Sequence, residues 1–492
     1  MKAERIFSPQ QYRWIQLAIN LLFIAVWFFA NEGLSFWDDY TYLNFANEIN
    51  QGRFEVTTNH FTSRLALIYP TAWFIDLFGV NEYSMVIFPM LCGLGLINLF
   101  FFLGNRVNYW IGLLGGMLIL CDYHMINFAI HLFPELPLTF CIFIFLVGYY
   151  LVLKNEADYR LTGFITATAL LGAFLIKTTV FLLLPLLAYL FITDRINRRN
   201  KGFWRIFISL GIFYFLLHGF WYLETKGSFM YRFENIANNH VATVKTFFDK
   251  ESLLWKRLTY LPLITFTKGG YFIPLLLALP AIIGLKRKDF NLKQADKFWP
   301  IASLILILSY WFFSTNWRYY SPLPLETRHI AFFIPAFIMT AVTFWPQHRW
   351  FELLKPKAVL IATVLGFLMI PAYTIYKSGN RGFKAEQSIV QQYLVEDKAA
   401  QTVITDGLNS YGYPYFYNFH QGEDKYLWFS EMDFSQIEVG DYVLLNEAYF
   451  NEEYNDTANF AAFKKVVAEK QWRLDLIEEK GRVKLYRIAA NL

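Results

Sequence analysis

Residues 14–46 read WIQLAINLLFIAVWFFANEGLSFWDDYTYLNFA, an apolar stretch followed closely by two adjacent acidic residues. A helix of about 20 apolar residues is long enough to cross the hydrocarbon core of a bilayer. The basic residues Lys2, Arg5 and Arg13 before the stretch resemble the start of a signal peptide, but no small-residue cleavage site follows it. Residues 14–30 are therefore predicted to form an uncleaved membrane anchor.

The composition extends this prediction to the whole chain. Of the 492 residues, 56% are apolar and only 17% are charged, whereas about 25% of the residues of a soluble protein are charged. The three cysteines lie in apolar stretches without metal-binding spacing. These features exclude a disordered chain and a disulfide scaffold, and they predict an α-helical polytopic membrane protein.

About eleven membrane spans are predicted from apolar stretches of sufficient length. They are residues 14–30, 83–103, 109–126, 136–153, 161–176, 179–193, 203–223, 271–285, 298–314, 329–345 and 358–376. A further apolar run, Leu65–Phe78, contains Pro70 and Asp76. We expect this run to form a helix that lies on the membrane surface.

The distribution of charge predicts which side each segment faces. Lys and Arg are concentrated in the short loops that share a side with the N-terminus, which places that side in the cytoplasm. Residues 1–377 carry 32 Lys and Arg against 21 Asp and Glu, whereas the rest carries 12 against 18. We expect a membrane domain at 1–376, with outer loops at 31–82 and 224–270, and a small extracytoplasmic α/β domain at 377–492. Within the latter, residue patterns predict strands at 401–405 and 441–445, a helix at 459–470 and a hairpin at 472–488. The chain lacks nucleic-acid-binding motifs, so nucleic acid is not expected as a partner.

The acidic pair Asp38–Asp39 is the sharpest candidate for chemistry. Acidic residues are favourable at a solvated helix N-terminus, and that reading is open from the residues alone. The aromatic residues around the pair instead indicate partial burial. A carboxylate in such surroundings is suited to act as a general base or to bind a cation.

Other charged residues fall on the same predicted outer side. They are His60, Arg64, Glu135, Lys177, Arg328 and His329. Each has an alternative reading as an interfacial anchor at the end of a span. Because a charge at membrane depth is costly, such residues tend to face a cavity or a partner. Their clustering on one side of a topology derived from loop charge favours a functional site.

The arrangement resembles the GT-C glycosyltransferases, in the branch of the protein O-mannosyltransferases and the lipid A aminoarabinose transferases. In that branch an acidic pair in the first outer loop is followed by a Tyr and an Ala, as Asp38–Asp39 is followed by Tyr42 and Ala46. Further segments that resemble the family are Pro134-Glu135-Leu136-Pro137, Gly172 to Lys177 and Thr327-Arg328-His329-Ile330. Asp39 departs from the usual Glu, and the Lys-Pro-Pro of many members is absent, with His60 to Arg64 in its place.

The resemblance implies inverting transfer of a sugar from a polyprenyl phosphate to a lipid, glycan or protein acceptor outside the cytoplasm, in the cell membrane. Asp38 is then the expected base, with Asp39 positioning it, binding the acceptor or ligating a metal. Glu135 is expected to hold a sugar hydroxyl or the acceptor. A divalent cation such as Mg²⁺ or Mn²⁺ stays open as a cofactor.

The lipid phosphate requires electrostatic stabilisation as it leaves. The candidates for that role are Lys177, Arg64 and Arg328, with His60 as a fourth, and Tyr42 and His329 complete the expected substrate-binding set. The alternative function is a polytopic transporter or flippase of lipid-linked or envelope precursors. That class is built from repeated halves with interrupted helices, and no internal repeat is evident here. A membrane scaffold whose outer domain binds a partner is a third reading.

Overall fold

The computed structural model is predominantly helical and carries a small sheet near its C-terminal end. It describes residues 8–238, 251–268, 272–286, 295–345, 384–394, 402–406, 412, 415, 426–428, 437–446 and 456–490, with gaps at 32, 34–36, 315–319, 321 and 324. The predicted class, a helical membrane protein with a small C-terminal α/β part, is confirmed.

The helices follow the apolar segments of the sequence. They are α1 Pro9–Ala30, α2 Trp37–Asn50, α3 Leu65–Phe78, α4 Ile87–Arg106, α5 Tyr109–Leu120, α6 Tyr123–Ala129, α7 Glu135–Leu153, α8 Tyr159–Ile176, α9 Leu184–Ile196, α10 Lys201–Lys226, α11 Glu251–Leu258, α12 Leu261–Lys268, α13 Phe272–Ile283, α14 Phe298–Phe312, α15 Ile334–Phe344, α16 Lys384–Ile389 and α17 Asp456–Glu469. Shorter 3₁₀ segments are His60–Ser63, Ser84–Val86, Thr178–Leu183, Gly284–Lys286 and Thr327–Phe333, and Val390–Leu394 is a π-helical turn.

Six of the described helices are long and apolar enough to span a membrane, and α5 with α6, bent by 69°, forms a seventh such unit. Shorter apolar helices occur at Leu65–Phe78, Ile273–Ile283, Phe298–Phe312 and Arg328–Phe344. Ten of the predicted spans coincide with these segments. The last, 358–376, lies outside the described residues. Leu65–Phe78 is a helix as predicted, and its place on the membrane surface stays a prediction.

Close helix packing around α1 depends on two glycines. A Cβ atom on Gly104 of α4 would lie 1.9 Å from the hydroxyl of Tyr12, and one on Gly112 of α5 would lie 1.8 Å from it. Small residues allow helices to approach closely in a membrane. The Tyr12 hydroxyl donates to the carbonyl of Phe101 at 3.3 Å, so the first helix is held against α4 and α5.

At the predicted cytoplasmic end, Asp194 ties three helices together. Its buried carboxylate accepts hydrogen bonds from the Tyr149 hydroxyl of α7 at 2.8 Å and from the Trp204 indole of α10 at 2.8 Å. Arg199 and Asn200 donate to it at 2.5 and 2.9 Å. A buried carboxylate is tolerated when its oxygens are satisfied in this way, so Asp194 fixes the register of α7, α9 and α10.

The C-terminal sheet contains β1 Val403–Thr405, β2 Tyr426–Trp428, β3 Tyr442–Asn446, β4 Trp472–Lys480 and β5 Val483–Ala490, in the order β2-β1-β3-β5-β4. β1 runs parallel to β2 and β3, whereas β5 is antiparallel to β3 and β4. The predicted strands at 401–405 and 441–445, the helix at 459–470 and the final hairpin are all present. Sequence reasoning missed β2 and α16.

The two faces of this sheet pack against different partners, because side chains alternate along a strand. Val443 and Leu445 belong to a small core with Phe463 of α17. Tyr442 and Leu444 instead belong to the core that continues into the helical bundle.

The contact with the bundle is made on the first predicted outer loop. Lys384 of α16 lies 3.5 Å from the carboxylate of Glu82, and the ring of Tyr415 lies 6.2 Å from that of Tyr40 in α2. The sheet therefore sits at the end of the bundle that carries the acidic pair.

A buried acid lies where α16 meets the sheet. Glu386 is fully buried, and its Oε1 accepts from the Asn446 amide at 2.6 Å. Burial raises the pKa of Glu386 to about 8; the Asn446 hydrogen bond opposes this shift and the Asp406 carboxylate adds to it. Because the folded state binds this proton more tightly than the unfolded state, the resulting stabilisation is complete below the unfolded pKa and is lost as the pH rises towards 8.

We expect Glu386→Gln to remove part of the pH dependence of stability. Relative to this variant, the wild-type protein should lose up to about 1.4 kcal/mol per pH unit between about pH 5 and pH 8. Thermal unfolding in detergent over this range measures the difference. Glu469→Gln, which removes an exposed carboxylate of α17, is the control and should parallel the wild type. Parallel curves for wild type and Glu386→Gln would contradict the assignment.

Candidate active site

Asp38 lies in the first turn of α2 and is partly accessible. Its Oδ2 accepts a hydrogen bond from Arg328 Nη1 at 3.1 Å, and its side chain is 20% exposed. Arg328, in the 3₁₀ segment before α15, also pairs with Glu326. Asp38 and Arg328 are 290 positions apart, so this pair joins the first outer loop to the late part of the bundle.

Asp39 faces a different neighbour and is fully buried. Its Oδ1 accepts from the backbone N–H of Leu132 at 3.0 Å, and its Oδ2 lies 3.3 Å from Nδ1 of His131. Adjacent residues of a helix point about 100° apart, which explains the divergence. Asp39 therefore holds the segment between α6 and α7, while Asp38 faces Arg328.

Glu135 and Lys177 form a buried ion pair. Lys177 Nζ lies 2.6 Å from Glu135 Oε1, and the two side chains are 10% and 3% exposed. Glu135 opens α7, where the helix dipole favours an acid, and Lys177 follows the end of α8 in an extended conformation. The two helix ends therefore bring together residues 42 positions apart.

Tyr42 links these pairs to Arg64. It lies one turn after Asp38, is fully buried, and accepts a hydrogen bond from Arg64. Burial raises the pKa of Tyr42 well above its usual value; Arg64 and Arg328 oppose the shift, and Asp38 and Glu135 add to it. All of these charges are therefore close enough to act on one hydroxyl.

The two histidines of the predicted set occupy different places. His60 opens the 3₁₀ segment that precedes Arg64, with its ring 4.2 Å from that of Phe61. His329 is buried and lines a narrow crevice together with Glu135, Lys177 and Arg328. The structure thus brings His329 into the charged cluster.

Arg232 is a candidate site residue that sequence reasoning missed. Its side chain is buried, and its Nη2 donates to the carbonyl of Phe174 at 2.6 Å, with the guanidinium 4.3 Å from the Phe174 ring. Burial lowers the pKa of Arg232 to about 10, the nearby Tyr222 opposes this, and the positive charge of Arg64 adds to it. Its only sequence signal is the aromatic context Tyr231-Arg232-Phe233 in an outer loop.

Arg64 and Arg232 differ from the other two cations of the cluster. Within the described residues, neither lies within 4.0 Å of a carboxylate oxygen, whereas Lys177 and Arg328 both do. Two neighbouring buried cations without an acidic partner form a local excess of positive charge. Such an arrangement is suited to bind an anion.

The expected metal ligands, Asp38 and Asp39, do not converge, because both oxygens of Asp39 face His131 and Leu132. In the part of the chain that the structure describes, no three His, Cys, Asp or Glu side chains are grouped to hold a metal ion.

The chain is similar to known proteins at two levels. The family model for dolichyl-phosphate-mannose-protein mannosyltransferase matches residues 66–221, a part of the chain that contains Glu135 and Lys177 but not Asp38 or Arg328. By sequence, no curated protein matches the chain significantly.

Solved structures match over nearly the whole chain. The crystal structure of ArnT from Cupriavidus metallidurans bound to undecaprenyl phosphate has a TM-score of 0.56 and 14% identity, covering 97% of this chain and 98% of that one. The crystal structure of the same protein in the apo state has a TM-score of 0.54 and 15% identity, and the match covers 95% of this chain and 97% of that one. The predicted resemblance is confirmed at the level of the fold, which is similar to that of ArnT.

The Glu135–Lys177 pair predicts a non-additive effect on stability. Lys177→Met should destabilise the protein by about 3–5 kcal/mol because it leaves a buried carboxylate without a partner. The double variant Glu135→Gln/Lys177→Met should recover most of that loss, and thermal unfolding in detergent measures both.

Lys154→Met is the matched control. Lys154 pairs with Glu156 at 3.7 Å beyond the other end of α7, and both side chains are more exposed. Loss of this ion pair should lower the free energy of unfolding by at most about 1 kcal/mol. Equal effects of the two lysine variants, or a double variant as unstable as Lys177→Met, would refute the pairing.

Proposed function

We propose that this protein is an integral membrane glycosyltransferase. It transfers a sugar from a polyprenyl phosphate to a lipid, glycan or protein acceptor on the extracytoplasmic side of the cell membrane, with inversion at the anomeric carbon. The observation that carries the proposal is the pair of buried cations, Arg64 and Arg232, which lack carboxylate partners in the described structure beside the paired charges of Asp38 and Glu135.

The two unpaired cations are suited to bind the phosphate of the donor. A phosphodiester carries a single negative charge, and a guanidinium group offers several N–H donors that match phosphate oxygens. The Nε and Nη1 donor groups of Arg232 are both buried without a hydrogen-bond partner in the described structure. A bound phosphate would satisfy these donors and stabilise the negative charge that grows as the sugar departs.

A neighbouring cavity is suited to the isoprenoid tail. It has a volume of about 470 Å³ between α8, α9 and α10, and its wall includes Leu170, Phe174, Phe181, Leu187, Phe215 and Phe233. Phe174 lies under the guanidinium of Arg232, and Phe233 follows Arg232 in the chain. An apolar cavity that ends beside an anion site matches the two chemical halves of a polyprenyl phosphate.

Asp38 is the proposed general base. Arg328 holds its Oδ2, which fixes the orientation of the carboxylate, and the side chain is accessible to an acceptor hydroxyl. Asp39 is buried with both oxygens facing protein groups, so it is a positioning residue that secures the start of α2. The acceptor hydroxyl gives its proton to Asp38 as its oxygen attacks the anomeric carbon and the lipid phosphate departs.

Lys177 and Glu135 complete the proposed site. Lys177 neutralises Glu135 and adds positive potential near the phosphate, and Glu135 is placed to bind a sugar hydroxyl or the acceptor. Among acceptors, we favour a glycolipid or another cell-envelope glycan, such as lipopolysaccharide, because no sugar-binding module is evident between the spans.

Asp38→Asn should abolish transfer and leave the protein folded. General base catalysis contributes about 10²–10⁴-fold to a rate, so little product should remain. The measurement is mass spectrometry of glycolipids and glycoproteins from a strain that lacks the gene, complemented with wild type or variant. The Asp38→Asn profile should match that of the deletion.

Asp76→Asn is the control, since it removes an exposed carboxylate from α3 on the same predicted side. It should restore the wild-type profile. Restoration by Asp38→Asn would overturn the assignment of the base, and a deletion strain without any change in glycans would overturn the proposed function.

A further inference from the structure

Two residues that line one narrow crevice each carry a buried polar atom. Glu135 Oε2 and Thr179 Oγ1 are both inaccessible to solvent and make no hydrogen bond in the described structure. Both residues line the crevice that also contains Lys177, Arg328 and His329. A buried polar atom without a partner costs about 1–3 kcal/mol, so the cost calls for a group that the described residues do not supply.

The local fold explains why both residues line one crevice. Thr179 lies in the 3₁₀ segment Thr178–Leu183, two residues after Lys177. Lys177 binds Glu135 Oε1 at 2.6 Å, so the segment that carries Thr179 begins beside the same carboxylate. The ion pair uses one oxygen of Glu135 and leaves the other without a hydrogen-bond partner in the described structure.

The chemistry of the two atoms defines the missing group. An ionised carboxylate only accepts hydrogen bonds, whereas a threonine hydroxyl both donates and accepts. A neutral hydroxyl satisfies both, since it can donate its proton to Glu135 and accept from Thr179. An ammonium group fits poorly, because Lys177 already balances the charge of Glu135 and Arg328 adds a second positive charge to the same crevice.

We propose that Glu135 and Thr179 form a subsite that binds a hydroxyl group of the donor's sugar, and that Thr179 is a specificity-determining residue for a sugar without a positive charge. The inference rests on the proposed function. The crevice is closed in this structure, so its lining side chains must move apart to admit the sugar.

The test compares the binding of three lipids to the purified protein in detergent: decaprenyl phosphate, the same lipid linked to mannose or arabinose, and the same lipid linked to 4-amino-4-deoxyarabinose. Wild-type protein should bind the neutral sugar lipids more tightly than the bare phosphate, and the amino-sugar lipid should not share this gain. Because acceptor is absent, a gain assigns the hydroxyl to the donor.

Thr179→Val should bind the neutral sugar lipids about fivefold more weakly than wild type, the size expected for one hydrogen bond, and should bind bare decaprenyl phosphate equally well. Thr179→Ser, which keeps the hydroxyl, should retain the gain, and Thr178→Val is the neighbouring control. Unfolding temperatures without lipid confirm that the variants fold.

Two outcomes would overturn the subsite. In the first, Thr179→Val still binds the neutral sugar lipids more tightly than the bare phosphate by the same factor as wild type. In the second, wild type binds the amino-sugar lipid more tightly than the neutral sugar lipids. The second comparison needs no variant and holds even if Thr179→Val misfolds. Failure of every protein to bind decaprenyl phosphate is a distinct result, which would count against the proposed function itself.

Discussion

Charge taken out of water must be balanced, and this constraint organises the functional end of the protein. Glu135 is balanced by Lys177, and Asp38 by Arg328. Arg64 and Arg232 are buried as well, but their described contacts are a tyrosine hydroxyl, a backbone carbonyl and aromatic rings. This local excess of positive charge supports the proposed binding of an anion between them.

The same pairs assemble the site from distant parts of the chain. Asp39 fastens α2 to the segment before α7, and the Glu135–Lys177 pair joins the start of α7 to the end of α8. Arg328 then brings the late 3₁₀ segment onto Asp38. Each pair ties parts of the fold together, and in the proposed reaction it also orients one group towards the substrate.

Much of the fold was predictable because hydropathy and loop charge are local properties. The apolar runs gave the helices, and the alternation at 472–488 gave the final hairpin. Asp38, Glu135, Lys177 and Arg328 were recognisable because charges are rare at membrane depth. The partner of each charge was not predictable, since it depends on long-range packing. His131, Arg232 and Thr179 lie in no recognisable motif.

The most direct test of the account is the affinity for undecaprenyl phosphate of the purified wild type, of Arg232→Gln, and of Arg106→Gln as a control. Arg106 is exposed at the other end of α4 and donates to the Glu156 carbonyl at 2.8 Å. Arg232→Gln should bind about ten- to hundredfold more weakly than wild type, as expected for losing a hydrogen bond to a charged group, and Arg106→Gln should bind as wild type does. Equal binding by all three proteins would contradict the account.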